Sequence, residues 1–134
     1  MRKAFLAALV LLQACANHGV RPLRPQELAT APYRDSATAS LTGSLMYEGG
    51  CLLFRDEDTK ERYLPVWPAG SVFNGTSVIF HQPAKSDQRV VVGEEFLMTG
   101  EPAEWSQLTT PYYTRFERQC GAPPFFVSAV RPAG

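Results

Sequence analysis

Covalent and acid–base chemistry in this sequence of 134 residues could come from Cys15, Cys51 and Cys120, from His18 and His81, and from a few carboxylate clusters. None of these falls into a spacing that a particular chemistry requires. No serine sits in a GxSxG turn, and neither HExxH nor a phosphate-cradling GxxxxGK[ST] loop occurs. Each histidine stands by itself, and a lone histidine is more often a surface or capping residue than a catalyst. Asp56-Glu57-Asp58 supplies the carboxylates that hard cations prefer. The glycine and terminal glutamate of a calcium loop are missing, however, and Arg55, Lys60 and Arg62 offset the charge, so a solvated hairpin tip is expected. Glu94-Glu95 and Glu101 with Glu104 show no spacing that identifies a hydrolytic acid pair. The cysteines have no CxxC or paired histidine beside them for a metal site. The residues therefore predict a non-enzymatic chain with no cofactor and no metal.

Two aromatic groups remain. Tyr63, Pro65, Trp67 and Pro68 form one; Tyr112, Tyr113, Arg115, Phe116 and Arg118 form the other. Aromatics beside arginine are what binding surfaces use, because they combine large contact area with a polar handle. The competing reading is that Trp67 and Phe116 are simply core. Asn74-Gly75-Thr76 matches a glycosylation acceptor, but Asn-Gly is first of all a tight-turn signal.

The elements that position these residues follow from composition and pattern. Hydrophobic residues make up 45% and charged residues 19%, a globular ratio for a single domain. Thirteen basic residues balance thirteen acidic ones, so no excess of positive charge is available to grip nucleic acid. Eleven prolines and ten glycines argue against a helix bundle. Only the first dozen residues hold a long apolar run, and that run is too short to span a bilayer as a helix.

The start of the chain is more specific. Met1-Arg2-Lys3 is basic, Ala4 to Leu12 is apolar, and Gln13-Ala14-Cys15 follows, which is the layout of a secretory signal. Leu12-Gln13-Ala14-Cys15 resembles the lipobox of bacterial lipoproteins, with Gln a less usual residue at the second position. That resemblance implies a diacylglycerol on the Cys15 thiol, cleavage before Cys15 and frequent acylation of the new amino group. A single acyl chain holds a protein only marginally, whereas two or three anchor it firmly. Ala16, where inner-membrane lipoproteins of enteric-type bacteria usually carry Asp, implies the outer membrane, with the chain facing the periplasm. Cleavage would remove Arg2 and Lys3 and leave eleven basic residues against thirteen acidic ones, a net charge near −2.

With Cys15 carrying lipid, Cys51 and Cys120 remain as two thiols in an oxidising compartment. A disulfide is then the economical reading; two reduced, buried cysteines are the alternative.

Residues 16–36 hold three prolines and no sustained period, which predicts an extended or loosely packed tether, with a helical turn possible at Gln26–Ala29. From residue 37 the pattern is β. Alternation over 37–47, then 51–54, 62–67, 76–81, 90–92, 95–100 and 125–130 read as short strands. Pro65 and Pro68 suggest that the third of these is an edge or ends early. Residues 102–124 read as irregular, with at most one helical turn at Pro102–Gln107. Five to seven short strands with little helix predict a mainly β domain, a small closed or nearly closed barrel, with a lipocalin-like or sandwich arrangement as the alternative. The pattern over residues 38–131 resembles the small OB-type domains of bacterial envelope proteins. The organisation expected is a signal peptide at 1–14, a lipidated N-terminus and flexible tether at 15–36, and one β-barrel domain at 37–134. The OB resemblance makes Phe54, Tyr63 and Trp67 candidate ligand-facing residues, and Tyr112, Tyr113, Arg115 and Arg118 join them as candidate partner contacts. The function expected is an outer-membrane-anchored accessory or protein-binding module of the cell envelope. The alternative is a lipoprotein that binds a small ligand or glycan on an aromatic barrel face.

Overall fold

The computed structural model describes Leu23, Arg24 and residues 27–133. The signal-like run, Cys15 and the first part of the expected tether lie outside the described residues. In chain order the elements are β1 (Ala29–Ala31), β2 (Ala39–Glu48), β3 (Cys51–Asp56), β4 (Arg62–Pro68), β5 (Val72–Phe73), β6 (Ser77–Phe80), β7 (Gln88–Val91), β8 (Glu95–Pro102), a 3-10 turn at Trp105–Gln107, α1 (Pro111–Cys120) and β9 (Pro124–Pro132). The domain is mainly β. Among the described residues nine strands stand where five to seven were expected: six in a sheet ordered β1-β4-β3-β2-β8-β9 and three in a sheet ordered β5-β6-β7. Because β4 also pairs with β9, the ladders β2–β3, β3–β4, β4–β9, β9–β8 and β8–β2 return to the strand from which they start.

The two faces of this sheet have different neighbours, and the burial patterns record it. On β2 and β8 buried residues alternate with more exposed ones, as expected where one face meets solvent. On β3 and β9 burial is nearly continuous, because their outer faces are covered as well. One face gathers Leu45, Leu52, Phe54, Trp67, Met98 and Phe125, joined by Phe73, Val78, Phe80 and Val90 of the three-stranded sheet. The other gathers Cys51, Leu53, Leu64, Val66 and Phe126 with Ala29 and Ala31 of β1 and Phe116 of α1.

Two glycines allow close backbone approach inside this sheet. A Cβ at Gly43 would collide with the Arg55 carbonyl oxygen, and one at Gly100 with that of Phe126. Gly100 adjoins the register shift between β8 and β9.

Three expectations are corrected. First, β4 does not end early at its prolines but runs through to Pro68 between other strands. The Tyr63 backbone faces β3, and the β3 ladder ends there; Trp67 faces β1. Pro65 falls between the two ladders, where no acceptor calls for an amide donor. Pro68 likewise lies beyond the end of the β9 ladder at Val66. Second, the last part of the stretch expected to be loosely packed is not: Ala29–Ala31 form a strand parallel to β4, and Leu28, Ala29 and Ala31 are buried. Ala29 belongs to that strand and not to a helical turn. Third, residues 111–120 are helical rather than irregular. Pro111 occupies a first-turn position, where its missing amide costs nothing, and Gly121 closes the helix with φ of 74°.

Candidate functional site

The second aromatic group turns inward, onto the chain's own N-terminal strand. Tyr112, Arg115, Phe116 and Gln119 recur at helical spacing and so share one face of α1. Phe116 is buried against Leu53, Leu64, Val66 and Phe126. The Tyr112 hydroxyl accepts the Thr30 amide at 2.9 Å and donates to the Leu28 carbonyl at 3.2 Å. The Tyr113 hydroxyl donates to the Thr30 carbonyl at 3.1 Å. These bonds satisfy the outer edge of β1, which would otherwise offer open backbone groups to another strand. Burial raises the Tyr113 pKa above its ordinary value, and the electrostatic interaction with the ionisable Tyr112 hydroxyl raises it further.

Arg115 grips Glu27 through two parallel contacts of 3.0 and 2.7 Å. This fork-to-carboxylate geometry is the strong form of an ion pair. The hydrogen bond from Arg115 holds the Glu27 carboxyl below its ordinary pKa, and the same bond raises that of Arg115. At the end of the helix Gln119 accepts the Leu23 amide at 3.2 Å and donates to the Gly49 carbonyl at 3.3 Å. Cys120 is disulfide-bonded to Cys51, the first residue of β3. The helix is therefore a clamp that holds Leu23, residues 27–31 and the β2–β3 turn against the sheet. Arg118 lies on its exposed side.

Of Phe54, Tyr63 and Trp67, the candidate ligand-facing residues, two turn inward. Phe54 and Trp67 are 0% and 1% exposed, so neither presents a face to a ligand. Both lie at positions of β3 and β4 that point into the larger core cluster. The Trp67 Nε1 has no hydrogen-bond partner among the described residues. A crevice that Trp67 borders with Leu28, Leu64 and Phe116 has no room for a water molecule. Tyr63 is half-buried, packs edge-on against Phe125 and donates to Glu61 at 3.1 Å. Its pKa is raised by burial and then by the Glu61 carboxylate.

The remaining polar clusters serve local structure. Asp56 accepts the Asp58 amide at 2.9 Å and Glu57 pairs with Lys60 at 3.2 Å, which shapes the β3–β4 hairpin. Asn74 accepts the amides of Thr76 and Ser77 and so closes the turn before β6. His81 Nδ1 lies 2.9 Å from Asp87, while the Ser71 hydroxyl accepts the His81 backbone amide and not its ring. Among the described residues no group of three or more His, Cys, Asp or Glu side chains is placed to hold a metal ion.

One open feature was not legible in the sequence. A groove of about 330 Å³ runs between β7 and the adjoining ends of β8 and β9. Val90, Phe96 and Val130 supply its apolar lining, and Arg89, Glu94, Glu95 and Arg131 its charges. The sequence marked Glu94-Glu95 as an acidic pair but carried no sign that β7 and β9 would face each other across a gap. Comparison of the chain with protein-family models, with curated proteins and with solved structures finds no match.

Proposed function

We propose that the protein is a lipid-anchored lipoprotein of the outer membrane, facing the periplasm, whose domain is a non-enzymatic accessory that binds another envelope protein. The observation that carries this reading is the fate of the three cysteines. Cys51 and Cys120 bond to each other, as exported proteins favour, and the third, Cys15, ends a run that resembles a lipobox. Lipid on Cys15 accounts for the odd number.

The body reads as a small OB-like barrel, a reading supported by the ring of ladders through β2, β3, β4, β9 and β8. OB-folds take ligands on the face of their second and third strands and on the loops beside it. On this reading those strands are β3 and β4, whose outer residues Leu53, Leu64 and Val66 are packed under α1 and β1. The helix comes from one of the loops that would otherwise flank a ligand. This arrangement turns recognition away from an aromatic barrel face and favours the protein-binding reading over the glycan-binding one.

Labelled palmitate supplied to cells making the full chain tests the anchor. Label is expected in the wild-type protein and absent in Cys15→Ala. Equal label in both, or none in either, would overturn the reading.

A further inference from the structure

We propose that the groove between β7 and the ends of β8 and β9 takes an extended peptide segment of a partner protein, added as an antiparallel strand on the free edge of β7. The proposal rests on the reading of the chain as a protein-binding module, though not on its lipid anchor.

The hydrogen-bond parity of β7 is fixed by its neighbour. The Val92 amide donates to the Thr76 carbonyl at 2.9 Å. In an antiparallel ladder this makes Val78–Val90 and Phe80–Gln88 the mutually bonded pairs. The backbone groups of Gln88 and Val90 thus face β6, and those of Arg89 and Val91 face away from it. The Val91 carbonyl is taken by the Glu94 amide at 3.1 Å. The Arg89 amide and carbonyl and the Val91 amide are left as an open strand edge. Across the groove, the ladder of β9 with β4 ends at Phe126, so Val130 and Arg131 pair with β8 on one side only. Two strand edges thus border one groove.

The side chains match what such an edge needs. Strand addition takes affinity from main-chain bonds and specificity from pockets for alternate side chains. Val90, Phe96 and Val130 give an apolar floor for one set of alternate residues. Arg89 and Arg131 lie on the two walls, and Glu94 and Glu95 lie at the β7–β8 turn. No ion pair ties any of these four to another described residue, so their charges are available to a ligand. A strand running antiparallel to β7 would place its N-terminal part near Glu94 and Glu95 and its C-terminal part near Arg89. The partner segment that fits has a basic residue first, alternating apolar residues next and an acidic residue last.

The test uses the full processed chain and two synthetic peptides with blocked ends, Lys-Val-Thr-Val-Glu and its charge-inverted form Glu-Val-Thr-Val-Lys. Amide hydrogen exchange at Arg89 and Val91 reports strand addition. The lysine-first peptide is expected to slow exchange at both amides in a saturable way and to bind about tenfold more tightly than the inverted form, the worth of one good polar contact. Val91→Pro removes one edge donor, leaves the bonds to β6 in place and should weaken binding about tenfold on the same scale. Glu94→Lys, a change at an exposed turn residue, should narrow or reverse the preference for charge order. Absence of saturable protection with either peptide would overturn the proposal. So would equal binding of the two peptides, or protection by envelope glycan fragments in place of peptide. None of these outcomes bears on palmitate labelling at Cys15, so failure of the groove and failure of the anchor are told apart.

Discussion

Glu27 and Arg115 meet where the chain enters the domain, with side chains only 19% and 9% exposed. Removing one partner of such a pair leaves the other partly desolvated and alone. Glu27→Gln should therefore destabilise the domain by about 1–3 kcal/mol at neutral pH, measured by denaturant unfolding. The pH dependence has a definite sign. The folded pKa of Glu27 is depressed, so the pair contributes fully above the unfolded value near 4.5 and loses its contribution as pH falls toward the folded value. The stability gap between wild type and Glu27→Gln should be constant from neutral pH down to about 5 and shrink below it. A gap that widens on acidification contradicts this assignment. Tyr112→Phe keeps the ring and deletes only the hydroxyl that serves Thr30 and Leu28. It should cost about 1–2 kcal/mol and speed exchange of the Thr30 amide. At this scale the sequence was least informative. It displayed Tyr112, Tyr113 and Arg115 as a cluster suited to binding, and they do bind, but to residues 27–30 of the same chain. Composition lists the groups without the direction each one faces.

The strand periods of β2, β3, β6 and β8 were legible because each carries an alternating or continuous apolar signal bounded by a turn. β1 was not, because three residues, two of them alanine, show no period. The helix α1 did carry signals: Pro111 in the first turn, Gly121 just past the end, and Tyr112, Arg115, Phe116 and Gln119 at helical spacing. They were masked by the prolines and threonines around them. Pro65 shows why a residue rule can mislead about an element. A proline is excluded from a strand only where an amide is needed, and β4 changes partners at that point. Two predictions belong to the helix. Phe116→Ala leaves a void beneath it and should cost about 3–5 kcal/mol by denaturant unfolding. Replacing Cys51 and Cys120 together by serine opens a loop with a sequence separation of 69, and chain entropy for a loop of that size puts the loss at about 4 kcal/mol. If the clamp works as a unit, that pair should also speed amide exchange at Thr30, which lies on β1 and touches neither cysteine. Unchanged exchange at Thr30 would separate the disulfide from the clamp.

As a whole, the molecule joins two statements that come from different parts of the chain. On the proposed reading the first fifteen residues set where it is held; the body shows that the outer face of β3 and β4 is already occupied, and that the strand edges bordering the groove belong to β7 and β9. The mainly β class and the disulfide could be read from the sequence. The order of the strands, and with it the groove, could not, because ladders between residues far apart in the chain leave no local mark. The most direct test of the combined account is the intact mass of the protein extracted from membranes without reducing agent. The account predicts a chain that starts at Cys15, carries the added mass of a diacylglycerol with or without an acyl group, and lacks two hydrogens for the bond between Cys51 and Cys120. A chain with an unmodified Cys15, or one with both other thiols free, contradicts it.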